Sequence, residues 1–391
     1  MISRFSVLYQ GGVIDGDQLG YDGPAVHERR YDNDRLMSVY DASLRIARAC
    51  DEWGYDTLWL AEHHFQHEGY EVLHNLPMTS LWLAQNTTKV RLGCGFNIIP
   101  TWNPLRLAED YATADHLTGN RIRFGVGRGY HEREIVTMNP AMIGMPDAER
   151  RAYFEEEVEV LRKAFSEDDW QHHGTYFDLP PKGSTHRGEA FETITLVPKP
   201  THEVEIWQPT TSGNPAGLDF MARNNIRGMV AGMPLTVTYA IAEGYRDAYA
   251  RQGVELELGE NLIVGMRAFV APTEEEARAQ ALPNFEEYAK FGAPLGVFLY
   301  TDELIELHKE AGLPIPEQPR MTSFEDTLAS GAWFAGTPEQ LVTCLREIEA
   351  RLPGLEEFLF NLHIPASHAD NLELLRIIAD EVMPHFAPKE A

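Results

Sequence analysis

The chain has 391 residues, 43% hydrophobic and 24% charged, with a formal net charge of −27 and a pI near 4.9. So acidic a chain opposes a phosphate-backbone or anionic-membrane partner, since such partners are met by clustered Lys and Arg; no nucleic acid and no membrane is expected. Cys50, Cys94 and Cys344 are odd in number, far apart and without a CxxC pair, which speaks against a disulfide framework or a zinc knuckle. With no apolar run of signal-peptide or membrane-spanning length, a cytoplasmic protein is expected.

In chain order, Arg4 to Tyr9 reads as a first strand, followed by a long Gly- and Asp-rich loop to about Asn33. A helix from about Leu36 to Glu52 presents Leu36, Tyr40, Leu44 and Ala47 on one face and stops before Gly54. A strand from Tyr55 to Leu60, a short helix from Pro77 to Gln85 and a strand from Val90 to Ile99 follow. Asn103-Pro104 starts a helix that ends at Gly119, Arg121 to Gly129 is a strand, and a helix begins at about Asp147.

Residues 166–203, with prolines at 180, 181, 198 and 200, read as a surface excursion. Strands at Glu205 to Gln208, Ile226 to Ala231 and Leu262 to Val270 are separated by helices at about 215–224 and 236–252. Thr273-Glu-Glu-Glu276 caps a short helix. Pro283 to Gly331, rich in Pro, Gly and aromatics, reads as an insertion after the seventh strand that forms a lid. A helix capped at Thr337, an eighth strand from Glu357 to Leu362 and a closing helix from Asn371 to Met383 complete the chain. Eight strands alternating with helices predict an α/β fold, a (βα)8 TIM barrel formed as one domain over 1–391, with insertions after strands.

The chemistry gathers at the end of the second strand, where Glu62, His63 and His64 occupy the carboxyl end that builds a barrel's active site. Three readings compete. The residues can be satisfied locally; His63, His64 and His67 can ligate a metal, though adjacent histidines at a strand end point apart; or one histidine serves as acid and base. Position favours the last, and no metal is expected. Thr210-Thr-Ser-Gly-Asn214 precedes a helix and offers its donors to an anion, or is a plain N-cap loop. No G-x-G-x-x-G follows a strand, so no NAD(P)H site is expected.

Five motifs in order resemble the bacterial luciferase-like flavin-dependent monooxygenases: Leu58-Trp-Leu-Ala-Glu-His-His-Phe65, Pro104-Leu-Arg-Leu-Ala-Glu-Asp110, Gly119-Asn-Arg-Ile-Arg-Phe-Gly-Val-Gly-Arg-Gly129, Gly336-Thr-Pro-Glu339 and Val382-Met-Pro-His-Phe386. The resemblance implies a two-component enzyme. A separate NAD(P)H:flavin reductase would deliver reduced FMN, which with oxygen would give a peroxyflavin that oxidises a small organic substrate. It implies His63 as the catalytic residue, with His64 and Glu62 orienting it.

The resemblance further implies that Arg128, Tyr130 and Arg151 hold the flavin with Thr211, Ser212 and Gly213, while Arg150 could exchange roles with Arg151. Each arginine could instead be a surface ion pair. Asn97 falls where the family places the isoalloxazine ring, often beside a non-proline cis peptide. The luciferases proper carry a cysteine in place of Gly127, so light emission is not implied. A homodimer is expected. The alternatives on the same fold are a deazaflavin-dependent oxidoreductase and a flavin-binding barrel without catalysis.

Overall fold

The structure is a computed structural model that describes residues 1–295, 305, 322–364 and 368–386. Among them, eight parallel strands close a barrel: β1 (Arg4–Tyr9), β2 (Thr57–Leu60), β3 (Arg91–Cys94), β4 (Ile122–Gly127), β5 (Ile206–Pro209), β6 (Arg227–Ala231), β7 (Leu262–Val270) and β8 (Glu357–Asn361). Each strand pairs with the next in sequence. Closure comes from β1 on β8, with Val7 opposite Phe360. The strands are almost wholly buried, because helices cover them outside and side chains fill the lumen, which is why they read as continuous apolar runs.

The helices begin and end where local chemistry dictates. Helix α1 (Asn33–Trp53) starts where the Asp32 carboxylate accepts from the Arg35 N–H, and stops at Gly54, whose φ of +80° is left-handed. Helices α2 (Leu76–Ala84) and α3 (Pro104–Thr118) start at Asn75 and Asn103, each cap followed within two residues by a proline whose missing N–H costs nothing there. Such caps contribute about 1 kcal/mol each.

The expected third strand, Val90 to Ile99, is interrupted. It pairs only over Arg91–Cys94; after the cis Gly95–Phe96 peptide the chain re-forms as Asn97–Ile98 against β4. No element was legible between Gly129 and Asp147, yet a short helix, α4 (Glu132–Met138), fills that interval before α5 (Asp147–Ser166). The 166–203 excursion carries two small antiparallel ribbons, His172–His173 with Asp178–Leu179 and Thr185–His186 with Glu189–Ala190. Helices α6 (Pro215–Arg223) and α7 (Leu235–Arg251) fall where expected.

The expected insertion at 283–331 is corrected in its first part. The helix opened by Thr273 is not short: α8 (Glu274–Gly292) continues through Pro283. It is held by packing rather than propensity, for Phe285 meets Trp333 and Phe324, and Phe291 stacks on Tyr70 with centroids 4.1 Å apart. Residues 296–304 and 306–321 of the expected lid, with Phe298 and Tyr300, lie outside the described residues. After them come α9 (Phe324–Ala329) and an unforeseen strand, Trp333–Gly336, which pairs with the far half of β7, Arg267 opposite Trp333. Helices α10 (Pro338–Arg351) and α11 (His368–Ile377) complete the ring.

Opposite the carboxyl ends of the strands, the lumen is filled by a charged plug. Arg123 lies between the indoles of Trp59 and Trp207, 4.8 and 4.3 Å from their ring centroids, and donates to Glu357 Oε1 at 2.6 Å and Thr57 Oγ1 at 3.0 Å. Gly93 on β3 makes room for this stack: a Cβ there would lie 2.2 Å from the Trp59 ring. The guanidinium is thus paired, hydrogen-bonded and stacked, as a buried cation must be.

Candidate active site

At the carboxyl ends of the strands a cavity of about 430 Å³ opens, within the range of small-molecule and cofactor sites. Glu62, His63, Arg128, Tyr130, Arg151, Thr211 and Ser212, from four separate stretches of sequence, all line it. His64, Asn97 and Gly213 do not. Asn97 is fully buried and donates its amide to Gly125 O at 2.8 Å, where it supports the backbone under Phe96. Gly213 lies between the lining residues Ser212 and Asn214.

The histidine end differs from the expected arrangement. Glu62 does not orient His63; its Oε1 accepts from His64 Nε2 at 2.9 Å and from the Trp102 indole at 2.8 Å. His63 is held by two other carboxylates. Its Nδ1 lies 3.3 Å from both oxygens of Glu134, and its Nε2 lies 3.3 Å from Glu71 Oε2. Glu134 also accepts the backbone N–H of His64 at 3.0 Å, locking the strand end to α4.

Glu71 is in turn shared. It accepts from Gln10 Nε2 at 3.1 Å and from the Tyr130 hydroxyl at 2.9 Å, and it faces His131 Nε2 at 3.3 Å. Burial disfavours a charged His63 ring, but Glu71 and then Glu134 outweigh it and hold its pKa above the ordinary imidazole value. For Glu71, burial opposes the charge, yet His63, His131 and Tyr130 keep it below the usual carboxylate range. Glu71, His131, Glu134 and Gln10 were not legible as site residues; only the acids in the first turn of α4 offered a signal.

The opposite end of the cavity gathers Arg128, Arg151, Thr211 and Ser212 beside the start of a helix. Helix α6 points its N-terminus there; Asn214 caps it by accepting from the N–H groups of Ala216 and Gly217, with Pro215 first in the helix. Thr211 and Ser212 lie just before that cap. Arg151 makes no ion pair or hydrogen bond among the described residues and lies 3.5 Å from the position a Cβ would take at Gly217. Arg150 is occupied instead: it grips Glu132 with two bonds of 2.6 and 2.9 Å and donates to the carbonyls of Met142 and Met145. Arg128 pairs with Asp147 at 3.1 Å in an exposed contact of the kind that contributes little. Gly129, at φ +72°, turns the chain out of β4 between Arg128 and Tyr130.

Between the two ends lie Gly95, Phe96, Gln208 and Pro209. Gln208 keeps a buried side-chain oxygen without a protein partner. An arginine without an ion pair, the loop entering a helix start and an orphaned amide oxygen on one cavity fit a hydrogen-bonding cofactor that ends in a phosphate.

A parallel (βα)8 barrel with such a cavity at the carboxyl ends of its strands, walled by a carboxylate-held histidine, is an enzyme scaffold. The chain belongs to the luciferase-like monooxygenase family, which it matches over residues 23–353, and is a flavin-dependent monooxygenase. It is 24% identical over 374 residues, 92% of this chain and 93% of the other, to the oxygenase component of a flavin-dependent trigonelline monooxygenase from Acinetobacter baylyi. In three dimensions it resembles the oxygenating constituent of 3,6-diketocamphane monooxygenase from Pseudomonas putida in complex with FMN, with a TM-score of 0.72, 17% identity, and 98% of this chain and 99% of that one covered. It also resembles an F420-dependent secondary alcohol dehydrogenase, with a TM-score of 0.66, 16% identity, and 99% and 100% covered.

Proposed function

We propose that the protein is the oxygenase component of a two-component system, which takes reduced FMN from a separate NAD(P)H:flavin reductase and uses oxygen to oxidise a small organic substrate. The observation that carries this reading is that one cavity joins an unpaired arginine at a helix start to a buried histidine flanked by two carboxylates. Reduced flavin, when bound, would supply the electrons for activating oxygen. The chain's residues would do the rest.

Arg151, Thr211 and Ser212 would grip the phosphate beside the capped start of α6, joined by Arg128 at the small cost of its exposed pair with Asp147. Gln208 would meet a polar edge of the ring. His63 would hold or release a proton at Nε2, the nitrogen beside Glu71, while Glu134 fixes Nδ1 and Glu71 stabilises the charged ring; such help is typically worth about 10²–10⁴-fold. The similarity to the Acinetobacter protein, itself an oxygenase component, supports the separate reductase.

Anaerobic fluorescence titration with reduced FMN, oxidised FMN and reduced F420 tests the proposal. Tightest binding of reduced FMN is expected, followed by oxygen-dependent product formation when a reductase is added. Preference for F420 and substrate turnover without oxygen would replace this reading with the deazaflavin one.

A further inference from the structure

We propose that His63, Glu71 and His131 form a binding site for one divalent transition-metal ion of the zinc type, in the wall of the cavity. They are the only described residues whose His, Cys, Asp or Glu ligand atoms cluster in threes: these atoms lie within 4.8 Å of one another and all three residues are buried. The three come from separate segments, the end of β2, the loop after it and the start of α4.

Geometry is the first support. Tetrahedral zinc with bonds of about 2.0–2.1 Å sets its ligand atoms roughly 3.3–3.4 Å apart. Glu71 Oε2 lies 3.3 Å from His63 Nε2 and 3.3 Å from His131 Nε2. Two of the three, His63 and Glu71, line the cavity.

The surrounding contacts are the second support. A ligating imidazole is normally oriented by a carboxylate on its other nitrogen, and a ligating carboxylate by further hydrogen bonds. His63 Nδ1 has Glu134, and Glu71 has Gln10 and Tyr130. Charge is the third. Glu71 and Glu134 place two buried carboxylates against two imidazoles, an arrangement that needs two positive charges for balance. One divalent ion bound to two neutral imidazoles supplies them.

The ion and the proton therefore compete for His63 Nε2. On the function proposed above, and only on it, a bound ion withholds that nitrogen and silences the oxygenase.

The test is a Co²⁺ titration of the chelator-treated, flavin-free protein, read by visible absorption, so that it stands whether or not FMN binds. Saturable d–d bands at one ion per chain are expected, displaced by Zn²⁺. His131→Gln and Glu71→Gln should each abolish the bands, and Glu134→Gln should weaken binding by about 10–100-fold. His67→Ala, which removes a nearby histidine outside the cluster, should leave the titration unchanged. Circular dichroism establishes that each variant is folded. Absence of saturable bands in the unaltered protein overturns the proposal, as does binding that survives His131→Gln or is lost in His67→Ala.

Discussion

Arg29 and Glu287, 258 residues apart, meet in a buried two-bond ion pair, with guanidinium nitrogens 2.6 and 2.9 Å from the carboxylate oxygens. The pair ties the long loop after β1 to α8, and the Tyr70 hydroxyl joins it from the segment carrying Glu71. Glu287→Ala strands the arginine in a site with almost no water, and should cost about 3–5 kcal/mol in denaturant unfolding. Replacing both residues by methionine should restore much of that loss. A small change in the single variant would mean that water enters to rescue the cation.

Arg151→Ala should weaken reduced-FMN binding by about 1.5–3 kcal/mol with little effect on folding, because no ion pair or side-chain hydrogen bond among the described residues is lost. Arg150→Ala should behave in the opposite way, sparing flavin and loosening the α4–α5 connection through Glu132. Paired fluorescence titrations and melting curves separate the two. Equal flavin affinity in Arg151→Ala would remove that residue from the phosphate site.

His63→Ala should retain flavin while lowering product formation by roughly 10²-fold or more. Measuring peroxide release against product decides this, because lost proton control diverts reducing equivalents to peroxide. Glu134→Gln keeps the shape around Nδ1 but removes its charge, so a smaller defect of the same kind is expected. Full product yield in His63→Ala would transfer the role to another residue.

Asp51, near the end of α1, accepts backbone N–H bonds from Thr88, Lys89 and Val90 at 3.0, 2.5 and 2.8 Å, together with the Thr88 hydroxyl at 2.9 Å. Partial burial opposes its charge, but the Val90, Lys89 and Thr88 donors prevail and hold its pKa below the usual carboxylate range. A depressed folded-state pKa gives stability that is complete above the unfolded value, about 3.9, and lost as pH falls through the lower folded one. Asp51→Ala should therefore cost about 1–2 kcal/mol at neutral pH, and the gap between the two proteins should close in acid. A gap that stays constant down to pH 2 would assign the loss to shape alone.

The barrel is legible in the sequence because each strand is a short apolar run and each helix has its own punctuation, as at Asn103-Pro104 and Gly119. Trp333–Gly336 escapes because four residues after Gly331 carry no period. Helix α8 is misjudged at Pro283, where packing of Phe285, Tyr288 and Phe291 overrides a residue that normally breaks helices. The loop with Thr211 and Ser212 is readable as a candidate anion site because a cap and a proline are local, whereas Arg151 enters only through the family resemblance. The histidine end is not readable: Glu71, His131 and Glu134 lie 8, 68 and 71 residues from His63, and only the closed barrel brings them together.

The Arg123 plug has a consequence for traffic. A lumen sealed at its base by two indoles and an ion pair is a cup rather than a tube, so everything that reacts must arrive and leave over the same rim. Cofactor, oxygen, substrate and product then compete for one doorway. Their order of entry is then set by which of them blocks the others.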